Sequence, residues 1–307
     1  MSFEDNPFMQ PSEKTKGAIN AALEQNLVLT DDEIRQKGLL YALKNGLIDN
    51  DDQSRKAFDG LASIETDYIR DRFEIAFQWH REVFGQVGLQ PPEPEDFTTN
   101  GEPLYKRFGD IYRNMDDNGL VPELVMAPYG MSPETWESIF DALKHDESNP
   151  GNQLQGAKPF EMTGPIRRNW HIFDRVPIYP DISGVELPVV DDGNLKWTLR
   201  IIPGKAEASE LGQREPSRES DVNETTIAEY LTAQALRVQS GRRVFDQLSV
   251  TTLAGFVRGI QSDGTTGDIK PYGAWWTAGG GTLLLQDYFS IKGPSSDEMH
   301  GNRIARA

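Results

Sequence analysis

The chain contains no cysteine. That absence excludes disulfides, thiolate metal sites and cysteine nucleophiles. Histidine is scarce as well, with His80, His145, His171 and His300 as its only copies. None stands at metal-ligand spacing from another, and no His-Glu-x-x-His pattern occurs. Long apolar runs are missing, since no window approaches the roughly 18 apolar residues that a bilayer-spanning helix needs. The opening Met1-Ser2-Phe3-Glu4-Asp5 shows no basic region followed by an apolar core, so no cleavable export signal is read from it. Positive charge is in short supply: Lys and Arg total 31 against 48 Asp and Glu, a net charge of −17. A surface so acidic repels phosphate backbones and anionic lipid, which argues against nucleic-acid partners and membrane insertion. These absences predict a cytoplasmic chain with no cofactor and no metal, monomers being slightly favoured. Display at a cell surface would need a non-classical route.

Catalytic signatures are absent too. There is no Gly-x-Ser-x-Gly nucleophile turn. Gly279-Gly280-Gly281 lacks the lysine and helix that a phosphate-cradling loop requires, and reads as a flexible turn. Asp49-Asn50-Asp51-Asp52 lacks the glycine and distal glutamate of a calcium loop. Asp263-Gly264-Thr265-Thr266-Gly267-Asp268 reads as a polar hairpin turn ahead of a metal site. His80 sits within an apolar stripe and reads as a hydrogen-bonded core residue. Carboxylates are abundant enough to assemble a hydrolytic pair in space, so a carboxylate-dependent hydrolase stands as an alternative function.

What is present organises the chain. With 307 residues it can bury a real core, while 37% hydrophobic content, 19 prolines and 28 glycines imply many loops. Residues 1–13 read as a flexible tail. Helical patterning follows to residue 146. Thr30 with Glu33 makes a capping box, and Gly46 closes that helix. Ile69, Phe73, Ala76, Phe77, His80, Val83 and Phe84 repeat at period 3.6. A third helix carries Leu104, Phe108, Ile111, Tyr112 and Met115, and Asn118-Gly119 ends it. Ser132-Pro133 opens a fourth, striped by Trp136, Ile139, Phe140 and Leu143. Between them, Leu120 to Ala127 reads as either a short strand or a buried connection. Pro- and Gly-bearing residues 147–156 read as a linker. Beyond it, Asp192-Gly193 between Val185–Val190 and Leu195–Ile202 signals a hairpin. Residues 204–223 read as a long polar loop, and Thr225 to Gln239 as a helix with Ile227, Tyr230, Leu231, Ala235 and Val238 inward. Short strands are expected at about 248–258, 272–278, 282–291 and 302–306.

The C-terminal end concentrates aromatics: Tyr272, Trp275, Trp276, Tyr288 and Phe289. In a strand, Trp275 and Trp276 point to opposite faces. One fills the core, and the other reaches the surface or is covered by another element. Tyr272-Gly273-Ala274-Trp275-Trp276-Thr277-Ala278, the strand around Leu283 to Ile291, and Gly301-Asn302-Arg303-Ile304-Ala305-Arg306 together resemble the close of C-type-lectin-like domains. The nearest branch is the one shared with formylglycine-generating enzymes. Those enzymes work through cysteines, so their chemistry does not carry over. The Glu-Pro-Asn and Trp-Asn-Asp motifs of calcium-dependent lectins are absent as well. What the resemblance implies is a scaffold for ligand-binding loops, as in variable proteins of bacterial diversity-generating retroelements. It implies ligand contact by Tyr272, Trp276, Gln286, Tyr288, Ser290 and Lys292.

The expected chain is therefore α+β. A helical domain over 14–146 is followed by a mixed, mainly antiparallel β domain of C-type-lectin-like type over 157–307. Its expected function is non-catalytic capture of a protein, small-molecule or glycan ligand. A hydrolase and a structural or assembly protein are the alternatives.

Overall fold

The computed structural model describes residues 70, 72–98, 104–146, 153–177, 187–207, 211, 224–277, 281–287 and 300–302. The expected tail at 1–13, the helix opening at Thr30 and most of the polar loop at 204–223 lie outside them. The chain divides into two compact units, Met1–Asp71 and Arg72–Ala307. The second contains the elements that follow.

Residues 72–85 form helix α1, with Phe73, Phe77, His80, Val83 and Phe84 buried, the stripe that the period predicts. After a 3-10 turn at Pro94–Phe97 come α2 (Leu104–Asp117) and β1 (Pro122–Tyr129). The open choice for Leu120 to Ala127 resolves as a strand. All eight residues of β1 are buried, because both its faces are covered. Helix α3 (Pro133–Lys144) starts as expected: the Ser132 hydroxyl accepts from the Thr135 amide, and Trp136, Ile139, Phe140 and Leu143 turn inward. Next come β2 (Phe160–Met162), α4 (Gly164–Arg168) and α5 (Trp170–Phe173). The predicted hairpin is β3 (Val189–Asp191) with β4 (Lys196–Pro203). Its turn is held by the Asp192 carboxylate, which accepts the Asn194 and Leu195 amides and the Trp197 indole N–H. Helix α6 (Ile227–Gln239) precedes β5 (Val250–Thr252), β6 (Val257–Ile260), β7 (Thr266–Ile269), β8 (Pro271–Trp276), β9 (Thr282–Asp287) and β10 (His300–Asn302). The expected polar turn falls between β6 and β7, where the Asp263 carboxylate accepts the Thr265 amide and hydroxyl, while Thr266 to Asp268 already belong to β7.

The strands form two sheets and a separate β6–β7 hairpin. One sheet has the order β1-β4-β3, the other β10-β5-β8-β9-β2. Strands β10 and β2 run parallel to β5 and β9, and the other pairings are antiparallel. The fold is α+β.

One expectation about its partition needs correction. Residues 147–156 do not separate a helical domain from a β domain. Strand β1 pairs with β4 along its whole length, from Pro122 opposite Pro203 to Tyr129 opposite Lys196. Phe84 meets Trp136 and Trp197 edge-on, at 6.3 and 5.1 Å between ring centres, so one core spans the expected boundary. Strands β2 and β10 occupy opposite edges of the five-stranded sheet.

Helix α6 lies between the sheets and is buried at every position from Ile227 to Val238, not only along the expected apolar stripe. It nevertheless carries Glu229, Gln234 and Arg237, and each is matched. Arg200 of β4 donates to Glu229 at 3.0 Å, and Arg237 donates to Glu123 of β1. Gln234 donates to the Tyr230 hydroxyl and accepts the Phe245 amide. On the side of the five-stranded sheet, Asp246 accepts from Tyr230, Ser249 and Thr251. The Tyr230 ring lies flat over β8 at Gly273, where an added Cβ would sit 2.2 Å from Tyr230 Cε1.

His80 joins α1 to β1. The Met126 amide donates to Nε2 at 2.9 Å, so Nε2 is unprotonated, and Nδ1–H donates to the Ala76 carbonyl at 2.6 Å. Burial pushes the imidazole down from 6.5 to about 4.

Two outcomes are expected. Gly273→Ala should cost about 1–3 kcal/mol in urea unfolding, because ring and strand must separate; an unchanged midpoint would mean the ring is not pinned there. His80 is depressed in the folded state, so its contribution is present above about pH 6.5 and lost as pH falls through about 4. Between pH 7 and 4 the wild type should lose about 3 kcal/mol more than His80→Gln; parallel losses would refute the neutral, doubly bonded imidazole.

Candidate functional site

Strand β8 alternates between two environments. Gly273 and Trp275 face α6, and Trp275 is buried. Tyr272, Ala274 and Trp276 face the other way, opposite Gln286, Leu284 and Thr282 of β9. On this face exposure rises along β8, while on β9 Gln286 is half-buried and Thr282, opposite Trp276, is buried. Tyr272 is 4% exposed, Ala274 and Leu284 are half-buried, and Trp276 is 50% exposed. The two tryptophans thus take opposite faces, and the outer one meets the surface.

The end of the sheet that carries Trp276 is firmly built. The Trp275 amide donates to the Asp246 carbonyl at 2.9 Å, which brings the 246–249 segment against β8. Leu248 in that segment is 73% exposed. Its amide and the Ser249 hydroxyl donate to Glu207, which also takes Arg243. Gly281 closes the β8–β9 turn with φ of 83°, and a Cβ there would lie 1.7 Å from the Gln153 carbonyl oxygen. Gln153 in turn donates to the Arg242 carbonyl and accepts from Gln247. The glycine at this turn is therefore required by close packing, not by flexibility.

Of the six residues expected to contact a ligand, the structure brings Trp276 and Gln286 onto one accessible face. Tyr272 shares that face, but its side chain is buried, which corrects the expectation of an exposed contact; it supports the strand from below. Tyr288, Ser290 and Lys292 lie outside the described residues. Leu248 was not singled out from the sequence, because an isolated leucine in a polar stretch carries no local signal. The ion pairs beneath the sheet did leave signals. Thr226 with Glu229 before an apolar run is a capping box, and here both reciprocal bonds form. Arg200 interrupts the apolar run of β4.

Two carboxylates of the groove beside α3 are engaged by a cation. A groove of about 710 Å³ between α3 and β2 includes Glu134 and Glu137 in its lining, but Arg167 binds both. Asp174, after α5, is pushed up from 3.8 to about 7 by burial, against the Gly130 amide that donates to it at 2.9 Å. It is not part of that groove's lining. Among the described residues no group of three or more His, Asp or Glu is arranged to hold a metal, and no helix is long and apolar enough to cross a membrane. Comparison with known proteins finds no matching family model, no matching curated protein and no matching solved structure.

Asp174 makes a pH prediction of opposite sign to that of His80. Its folded-state pKa is raised, so its contribution is whole below about pH 4 and lost as pH rises through about 7. Asp174→Asn keeps an acceptor for the Gly130 amide and removes the buried charge. Chemical denaturation should find this variant more stable than wild type at pH 8, with the gain gone at pH 4. Equal stability at pH 8 would show that Asp174 is solvated.

Proposed function

We propose that the chain is a non-catalytic binding module that captures a protein ligand at the sheet end bearing Trp276. The observation that carries this reading is the half-exposed Trp276 side chain on a strand whose opposite face is locked against α6. A large aromatic held rigid at a surface loses little conformational freedom on binding, and buries much area. Leu248 adds a second exposed apolar side chain at the same end. Gln286, farther along the face, offers both a donor and an acceptor.

The resemblance of the last hairpin to lectin-like scaffolds supports the same reading, and by it Tyr288, Ser290 and Lys292 would contribute to contact. A variable protein of a diversity-generating retroelement is the specific form of this proposal. A hydrolase is less well supported, because Arg167 engages Glu134 and Glu137, and Asp174 stands apart from their groove.

Panning a displayed random-peptide library on the wild-type chain, with counter-selection on Trp276→Ala, tests the proposal. Clones that bind wild type and lose binding to the variant are expected. The variant itself should unfold within about 0.5 kcal/mol of wild type, whereas Trp275→Ala should cost about 3–5 kcal/mol. Clones indifferent to Trp276, or a large stability loss on its removal, would overturn the assignment.

A further inference from the structure

The five-stranded sheet ends at β2, and no described strand pairs with its outer edge. The inner edge is fixed by two bonds: the Leu283 amide donates to the Pro159 carbonyl, and the Thr163 amide to the Leu285 carbonyl, each at 2.9 Å. Backbone groups alternate along a strand, so Pro159, Glu161 and Thr163 turn toward β9. Phe160 and Met162 consequently direct their N–H and C=O groups outward. Among the described residues no backbone group pairs with them, and both residues line the groove between β2 and α3. The Phe160 ring lies 5.5 Å from Phe140 of α3 and makes the floor rigid.

Charge specifies the occupant. Four carboxylates line the groove, Glu134, Glu137, Asp141 and Glu161, against two cations, Lys158 and Arg167. Arg167 holds Glu134 and Glu137. Asp141 has His145 at 3.7 Å, and Glu161 has Lys158 at 4.0 Å, both in exposed and loose pairs. Natural sheets often guard an open edge with lysine or proline, and Lys158 and Pro159 stand at the start of this one. Carboxylates still outnumber cations four to two along the groove, which favours basic segments over acidic ones.

We infer that the outer edge of β2 binds an extended, lysine- or arginine-bearing segment of a protein partner by strand addition. The backbone of that segment pairs with Phe160 and Met162, and its cations meet Glu161 and Asp141. This edge and strand β8, which bears Trp276, are separated by β9, and the inference does not rest on the function proposed there.

A short capped peptide alternating lysine and valine, titrated against the isotope-labelled full chain, tests the inference. Amide shifts should concentrate at residues 158–163 and 134–141, and added salt should weaken binding. Met162→Pro removes an outward N–H at an edge where proline is tolerated. It and Glu161→Lys should each weaken binding at least about tenfold, while Trp276→Ala leaves it unchanged. A glutamate–valine peptide binding equally well would overturn the inference. So would shifts confined to another face, or a concentration-dependent dimer of the chain alone that Met162→Pro abolishes.

Discussion

Helix α6 can lie buried on all sides only because Glu229, Gln234 and Arg237 each find a partner, the two charges in the three-stranded sheet and the amide at Tyr230 and Phe245. An isolated charge in such a place is so costly that the helix would not stay there. Removing one member of a buried pair typically costs about 3–5 kcal/mol, since the other is left unmatched. Arg200 and Glu123 come from the three-stranded sheet to meet Glu229 and Arg237. Asp246 and Gly273 set the five-stranded sheet against Tyr230. Charge matching on one side and close contact on the other leave the helix a single position. The relative placement of the two sheets follows from it.

That constraint shapes the surface. With Trp275 and Gly273 committed to the helix side, the alternation of β8 leaves Trp276 no choice but the outer face. The segment bearing Leu248 is drawn in by the same Asp246 whose carboxylate serves Tyr230. The Trp276 side chain is thus positioned by the core and not by a loop; on the proposed function, so rigid an anchor would need little ordering on binding. The edge at β2 is rigid for a related reason, since Phe140 of α3 supports Phe160 from below.

Local patterns were legible where local chemistry controls the outcome. The stripe ending at Phe84, the Ser132-Pro133 helix start, the Asp192-Gly193 hairpin and the polar turn at Asp263 all rest on neighbours a few residues apart. The division into domains did not follow from such patterns. β1 and β4 are joined by pairings that connect residues such as Pro122 and Pro203, and nothing in either segment announces its partner. The same limit applies to Tyr272, which as an aromatic in a terminal strand is equally suited to surface or core. Only its neighbours across the sheet bury it.

The sequence by itself determined the absence of thiol chemistry, the strong negative charge, the helix starts and hairpin turns, and the rule that Trp275 and Trp276 part to opposite faces. These depend on composition or on bonds between near neighbours. The tertiary structure alone decided which tryptophan faces outward, which strands share a sheet, that α6 is enclosed, and that β2 ends its sheet among the described strands. Those outcomes depend on contacts between residues far apart in the chain, where burial and charge matching are settled by the whole fold at once.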